Sequence, residues 1–426
     1  MSSSVSDAPD VSQGSAVSPG SAKPTGRSSR LIIGLVVLAV VGGAAGYAAT
    51  TAARTWLGPE RPPVTLAGDL ADDLVWVAAG DFTMGTDALP PPGAPNPHKI
   101  KPDEYPAHVV FLDGYWIGRH EVTNAEFAEF AAMTGYVTVA ERGVTIDEYV
   151  ASGVAAPEQL DEAAFRPSSL CFNQDLAGKG IRLGGLVDGK PWEYQVWEVV
   201  DGANWRHPDG PESSLEGRWN HPVVHVAFAD VQAYCDWAGV RLPTEAEWEK
   251  AAQGGRERTR YPWGNVREPD GEYRCNYWQG VFPIDRQNLD GYESTAPVGS
   301  FAANGLGLFD MSGNVWEWCS DYFHSDYYAR SPRRNPQGPR ESFDAREPGL
   351  VKRVTRGGSF LCNTNNCTGY RTAARMASEE MSGAVHTGFR IALSVDDVDR
   401  YRQRQAAIAD WRAASGDEAR TAAISR

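Results

Sequence analysis

Arg353-Val-Thr-Arg-Gly-Gly-Ser-Phe-Leu-Cys-Asn-Thr-Asn-Asn-Cys-Thr-Gly-Tyr-Arg371 is the stretch on which the reading of this chain turns. It holds two of the six cysteines, Cys362 and Cys367, with four residues between them. That spacing is neither the Cys-x2-Cys of a thioredoxin-like redox motif nor half of a common zinc site. Two thiolates with no His or carboxylate beside them make a soft, low-coordination pair, and soft sulfur suits Cu(I). The alternatives are a short-loop disulfide, which spacing alone favours, and two unrelated buried thiols.

Neighbouring motifs change that weighting. Gly357-Gly-Ser-Phe-Leu-Cys362, Tyr370-Arg371, Ala373-Ala-Arg375 and a closing Gly388-Phe-Arg390 lie around the pair. Gly313-Asn-Val-Trp-Glu-Trp318 and Arg241-Leu-Pro-Thr-Glu-Ala-Glu-Trp-Glu249 precede it. Together they resemble the formylglycine-generating enzymes, also called sulfatase-modifying factors, from about Trp76 to Ser394. The resemblance implies an α+β fold of low regularity, related to C-type lectins. It implies oxidation of a cysteine in a Cys-x-Pro-x-Arg segment of an unfolded sulfatase to Cα-formylglycine, with copper as cofactor and dioxygen as oxidant. Cys362 and Cys367 would then be the Cu(I) ligands, and Ser359 and Trp316 would line the oxygen and substrate pocket. Taken alone, Trp316 reads as a core residue and Ser359 as a hydroxyl bonded to backbone.

The same resemblance implies two structural calcium ions. One set falls on Asn276, Tyr277, Asp290 and Tyr292, the tyrosines contributing carbonyls. The other falls on Asp310, Gly313, Val315 and Glu317, within a tight turn that supplies carbonyl oxygens as calcium requires. A plain turn before a capped helix fits those letters equally well.

Three departures from the family pattern stand out. Asn363 follows the first copper cysteine, where His is common. Asn366 precedes the second, where Tyr is common. Thr372 stands where some members carry a cysteine that pairs with the one at Cys235. Cys171, Cys275 and Cys319 remain, and Cys275 with Cys319 is a speculative pair. Two rival functions stay open. A relative oxidising another thiol with iron would need grouped histidines, which the eight here do not form. A non-catalytic binding module of the same fold would usually lack the cysteine pair.

Composition sets outer limits. The chain has 426 residues and a formal net charge of −15, without a dense basic run in the folded part, so nucleic acid is excluded as a partner. Residues 1–30, rich in Ser, Pro, Gly and Ala, read as disordered. Residues 31–53 carry no charge and are long enough to cross a bilayer, with Lys23, Arg27 and Arg30 before them. A membrane anchor with the catalytic part outside the cytoplasm is the favoured reading; a cleaved signal peptide, giving a secreted protein, is the other. Residues 54–72 read as a tether, 73–395 as the catalytic domain and 396–426 as a charged helical extension. Val398, Tyr401, Ala406 and Trp411 give that extension only a poor apolar stripe.

Within the domain, His108–Leu112, Asp113-Gly114 and Tyr115–Gly118 read as strand, tight turn and strand. Thr123-Asn-Ala-Glu126 and Thr244-Glu-Ala-Glu247 have the form of capping boxes. Glu121 and Asn124 read as capping or solvated residues, and Asp230 as the cap of a further helix. Residues 140–200 lack periodicity and read as a long insertion. His207 reads as a hydrogen-bonded loop residue. His221 and His225 have helical ligand spacing, but Pro222 argues against a helix there, and no zinc site is expected.

Overall fold

The alternation in Leu74-Val-Trp-Val77 and the valine-rich run from His108 mark strands half-buried on a sheet. The structure, a computed structural model, describes residues 72–87, 102–153, 165–173, 176, 181, 184–187 and 190–424. The leader, the apolar run 31–53 and the tether up to residue 71 lie outside these residues. Among the described residues no helix is long and apolar enough to cross a membrane.

The main strands are β1 (Leu74–Val77), β2 (Gly80–Met84), β3 (His108–Leu112), β4 (Tyr115–Gly118), β5 (Ser168–Phe172) and β6 (Trp197–Asp201). They continue with β7 (Trp316–Tyr322), β8 (Lys352–Arg356), β9 (Arg375–Glu379), β10 (Thr387–Gly388) and β11 (Ala392–Ser394). The longer helices are α1 (Asn124–Thr134), α2 (Phe228–Ala238), α3 (Glu245–Gln253) and α4 (Val398–Ile424). Small sheets joined by long loops make a mixed helix and strand fold of low regularity.

Asp113-Gly114 does not close a hairpin. β3 pairs with β2, whereas β4 lies between β1 and β11 in a three-stranded antiparallel sheet. All four residues of β4 are buried, so both of its edges need backbone partners, and β1 and β11 supply them. Gly114 is pressed against Trp76: a Cβ there would come 2.3 Å from the indole. The site is carried by a second sheet, ordered β9-β8-β7-β10, in which only the β7–β10 pairing is parallel. The closing segment Gly388–Ser394 is therefore split between two sheets.

Both capping boxes form. Thr123 Oγ1 accepts from Glu126 N while the Glu126 carboxylate accepts from Thr123 N, and Gly135 ends α1 in the left-handed region. Thr244 and Glu247 do the same for α3. Asp230 is not the cap of α2. Ala227 is, and having no side-chain oxygen it is served by Asp230 three residues on, whose Oδ2 accepts from Ala227 N at 2.8 Å. One apolar core gathers Phe127, Tyr234, Trp205, Trp318 and Phe389 around α1 and α2. A second surrounds α3 through Trp248, Phe323 and Tyr328. The carboxylates of α3 are structural, as expected: Glu245 receives both Arg375 (2.7 and 2.8 Å) and Arg356 (2.9 Å).

Residues 140–200 hold more structure than their lack of period suggests. Two short helices, Val139–Arg142 and Ile146–Ala151, are followed by the antiparallel pair of β5 and β6. The C-terminal extension packs onto α1 and α2. Its buried positions are Val398, Tyr401, Gln405 and Ile408, not Ala406, which is exposed. The polar Gln405 hides this stripe in the sequence; its Nε2 donates to Ala238 O at the end of α2.

Candidate active site

β8 ends at Arg356 and runs into Gly357-Gly358, whose backbone crosses that of Gly369-Tyr370. A Cβ on Gly358 would meet Tyr370 N at 2.5 Å, and one on Gly369 would meet the Trp316 ring at 2.4 Å. Only glycine permits this crossing. A turn follows, with Cys362 N donating to Ser359 O at 2.9 Å and Leu361 N to Ser359 Oγ at 3.3 Å. Ser359 is fully buried, and its hydroxyl accepts from backbone.

The turn points Cys362 inward. It is buried, whereas Cys367 is half-buried, and their thiols are hydrogen-bonded to each other. Ser359 N donates to Cys362 Sγ (3.4 Å) and Gly369 N to Cys367 Sγ (3.3 Å). Burial and the second thiol push Cys362 well above the usual thiol range. All six cysteines are free. The short-loop disulfide is therefore absent. So is the speculative Cys275–Cys319 pair, whose members sit in different apolar clusters. The Thr372 hydroxyl bonds Thr259 O at 2.5 Å instead.

Aromatic rings enclose the thiols. Trp316, Tyr261, Tyr277, Tyr370 and Cys275 form one buried cluster with Cys362, and Trp263, Tyr273 and Cys367 pack at its edge. Trp316, at the start of β7, is thus a core residue and a wall of the site at once. Tyr277 and Tyr370 have ring centroids 5.3 Å apart. Arg267 and Glu268 give the cage a polar edge, unforeseen from sequence because they occupy an ordinary turn. The Arg267 guanidinium lies 5.2 Å from the Tyr277 ring centroid, and Glu268 accepts from the Tyr277 hydroxyl.

Asn363 faces inward. Its Nδ2 donates to Trp278 O and Gly280 O, and its Oδ1 accepts from Asn365 N. Asn366 is exposed beside Cys367.

Near these loops lie the positions assigned to calcium. Asn276 Oδ1 is buried without a partner. Asp290 Oδ2 accepts from Tyr277 N (2.9 Å) and Gln279 Nε2 (2.7 Å), and Gln279 Nε2 also donates to Tyr277 O. In the second set, Asp310 Oδ2 accepts from Gly299 N at 2.7 Å. The Glu317 carboxylate is largely occupied by Arg390 (2.5 and 2.7 Å) and Trp248 Nε1 (2.7 Å). Glu121 is fully buried, so it neither caps nor meets solvent. Its Oε1 accepts from Asn314 Nδ2 at 3.1 Å and its Oε2 has no partner. Burial, then the charges of Asp310 and Glu317, hold its carboxyl well above the ordinary range. Among the described residues no three His, Cys, Asp or Glu side chains converge as a metal-binding group. Both loops instead offer mixed carboxylate, amide and carbonyl oxygens, and with Asn276 Oδ1 and the nearby Glu121 Oε2 orphaned this donor set fits a hard cation.

His207, His221 and His225 make their hydrogen bonds away from the thiol cage. His207 Nδ1 lies 2.6 Å from Ser213 O, a hydrogen-bonded loop histidine as expected. His221 Nδ1 lies 2.9 Å from Thr295 Oγ1, and His225 is held between Ser169 Oγ (2.7 Å) and Pro208 O (2.8 Å).

A buried dithiol in an aromatic cage, on a loop-rich fold of helices and strands, is the class that this geometry defines. The chain belongs to the sulfatase-modifying factor enzyme 1-like family, whose domain model matches residues 63–395. It is 43% identical over 340 residues to the formylglycine-generating enzyme of Thermomonospora curvata, covering 78% of this chain and 96% of that one. The Mus musculus formylglycine-generating enzyme is 40% identical over 319 residues, 75% of this chain and 74% of that one. A Bos taurus relative named inactive C-alpha-formylglycine-generating enzyme 2 is 33% identical over 323 residues, 75% of this chain and 87% of that one.

Proposed function

We propose that this chain is an oxidase that activates sulfatases by converting a cysteine of a Cys-x-Pro-x-Arg segment to Cα-formylglycine, using copper and dioxygen. Family membership supports the reaction class. The observation that carries the site assignment is the pair of reduced, hydrogen-bonded thiols, one buried and one half-buried, inside an aromatic cage. Bound Cu(I) would supply the one-electron and oxygen chemistry that side chains lack. Cys362 and Cys367 would hold it. The amides of Ser359 and Gly369, aimed at the two sulfurs, favour their thiolate forms. Trp316 and Tyr370 exclude water, and the half-buried Cys367 marks the side from which an extended, unfolded substrate approaches.

Calcium at the Asn276–Tyr292 and Asp310–Glu317 loops would fix the walls of the site, with Glu121 an additional carboxylate for the second. The apolar run 31–53 and the cations before it favour a membrane-anchored enzyme acting outside the cytoplasm.

The test is to load the chain with Cu(I), add a Cys-x-Pro-x-Arg peptide in air, and follow peptide mass with an aldehyde-reactive probe. Aldehyde formation that requires copper and is abolished in Cys362→Ser is the expected result. Full activity in Cys362→Ser would overturn the ligand assignment; an intact peptide, with copper bound, would overturn the activity.

A further inference from the structure

The two segments that wall the thiol cage also line a cavity of about 290 Å³. Residues 259–261 and 370–373 run beside each other, with Thr372 N donating to Arg260 O at 3.0 Å. Tyr261 and Tyr370 belong to the cage, while their neighbours Thr259, Arg260, Arg371 and Thr372 line the cavity. Arg371 follows Cys367 by four residues, so their Cα atoms are at most about 15 Å apart, the reach of roughly four or five residues of extended peptide.

The charge of this cavity is positive, in a chain whose net charge is −15. Its one acidic lining residue among those described, Glu249, is spent: Oε2 accepts from Arg356 at 2.5 Å and Oε1 from Gly85 N at 2.7 Å. Arg371 is held by Glu104 through two bonds of 2.7 Å. The rim cations are less committed. Arg258 meets Asp87 only at 3.3 Å, with both side chains more than half exposed. Arg260 lines the cavity with an exposed side chain and no acid partner among the described residues. Thr259, the residue between them in sequence, has its Oγ1 buried without a hydrogen-bond partner. Two rim guanidinium groups, one of them without an acid partner among the described residues, match a carboxylate, which accepts from such donors.

We propose that this cavity is a subsite for an acidic side chain of the substrate polypeptide, a Glu or Asp a few residues from the cysteine that reacts. The subsite rests on the proposed oxidation of a peptide cysteine, and it gives that reaction a preference among client segments. Elsewhere on so acidic a protein the same carboxylate would be repelled.

The test is a scan of Cys-x-Pro-x-Arg peptides in which Asp or Asn occupies each of five positions on either side of the motif. KM is measured with the copper-loaded chain, and Kd by fluorescence anisotropy of labelled peptides. One position should favour Asp over Asn by roughly tenfold at low salt, the worth of one charge-assisted contact, and the gain should shrink as salt rises. Arg260→Ala, and more fully the Arg258→Ala/Arg260→Ala pair, should abolish the difference between the two peptides. No Asp advantage at any position, or an advantage that survives the double variant, overturns the subsite. If no peptide is oxidised, the functional reading fails, and anisotropy still decides the subsite by the Asp-to-Asn ratio alone.

Discussion

Three hydrogen bonds converge on the Asn363 amide, to Trp278 O at 2.9 Å, Gly280 O at 3.1 Å and Asn365 N at 2.7 Å. They tie the cysteine loop to the segment carrying Asn276 and Tyr277, so the residue acts on the geometry of the pair. Asn363→Ala should cost about 2 kcal/mol in denaturant unfolding, the loss of buried bonds leaving two carbonyls unmet. Asn366→Tyr, at an exposed position, should leave stability unchanged and alter KM for peptide. A buried histidine contributes to the response to acid. His225 is pushed down to about 4 by burial, opposed by its bond to Pro208 O and by Asp209. Its folded pKa lies below the unfolded value of about 6.5, so the unfolded chain binds the extra proton. Stability is therefore full above pH 6.5 and falls by roughly 3 kcal/mol as pH drops towards 4. Melting curves of wild type and His225→Asn between pH 7 and pH 4 should converge on acidification, because only the wild type carries this slope.

At the scale of the element, the C-terminal helix is a clasp across α1 and α2. Val398, Tyr401 and Ile408 are buried. Arg400 Nη2 donates to Val240 O at 3.0 Å, and Arg412 Nη2 to Glu129 at 2.7 Å. At Gly416 the backbone leaves helical geometry, with φ 64° and ψ 169°. Two truncations test the docked part. Ending the chain at Ser415 should change the unfolding free energy by less than about 0.5 kcal/mol. Ending it at Val395 uncovers the apolar faces of α1 and α2 and should cost roughly 3 to 5 kcal/mol after the entropy regained by the lost helix. Equal melting temperatures for the two truncations would refute the clasp.

Across the whole molecule, what could be read from sequence was what is written over a few residues. The capping boxes are pairs three apart and formed where expected; the thiol pair, five apart, is equally local. Glu121 was misread because its surroundings come from Asp310, Asn314 and Glu317, far along the chain. The polar edge at Arg267 and Glu268 and the partners of β3 and β4 escaped for the same reason: each is a long-range choice that local pattern does not encode. Glu121 also supplies the sharpest whole-molecule prediction. The charges of Asp310 and Glu317 both act on the buried Glu121, and Arg390 opposes them. A calcium ion there would offset the surplus negative charge and stabilise the fold by about 2.7 kcal/mol at a hundred times its dissociation constant. A chelator should then lower the wild-type melting temperature by several degrees, on the order of 5 °C. Glu121→Gln should invert the ranking. Without calcium it removes a repulsion and should melt above the wild type; with calcium it loses a ligand and should melt below it. A wild-type melting temperature indifferent to chelator would show that Arg390 and the surrounding amides suffice to hold these loops.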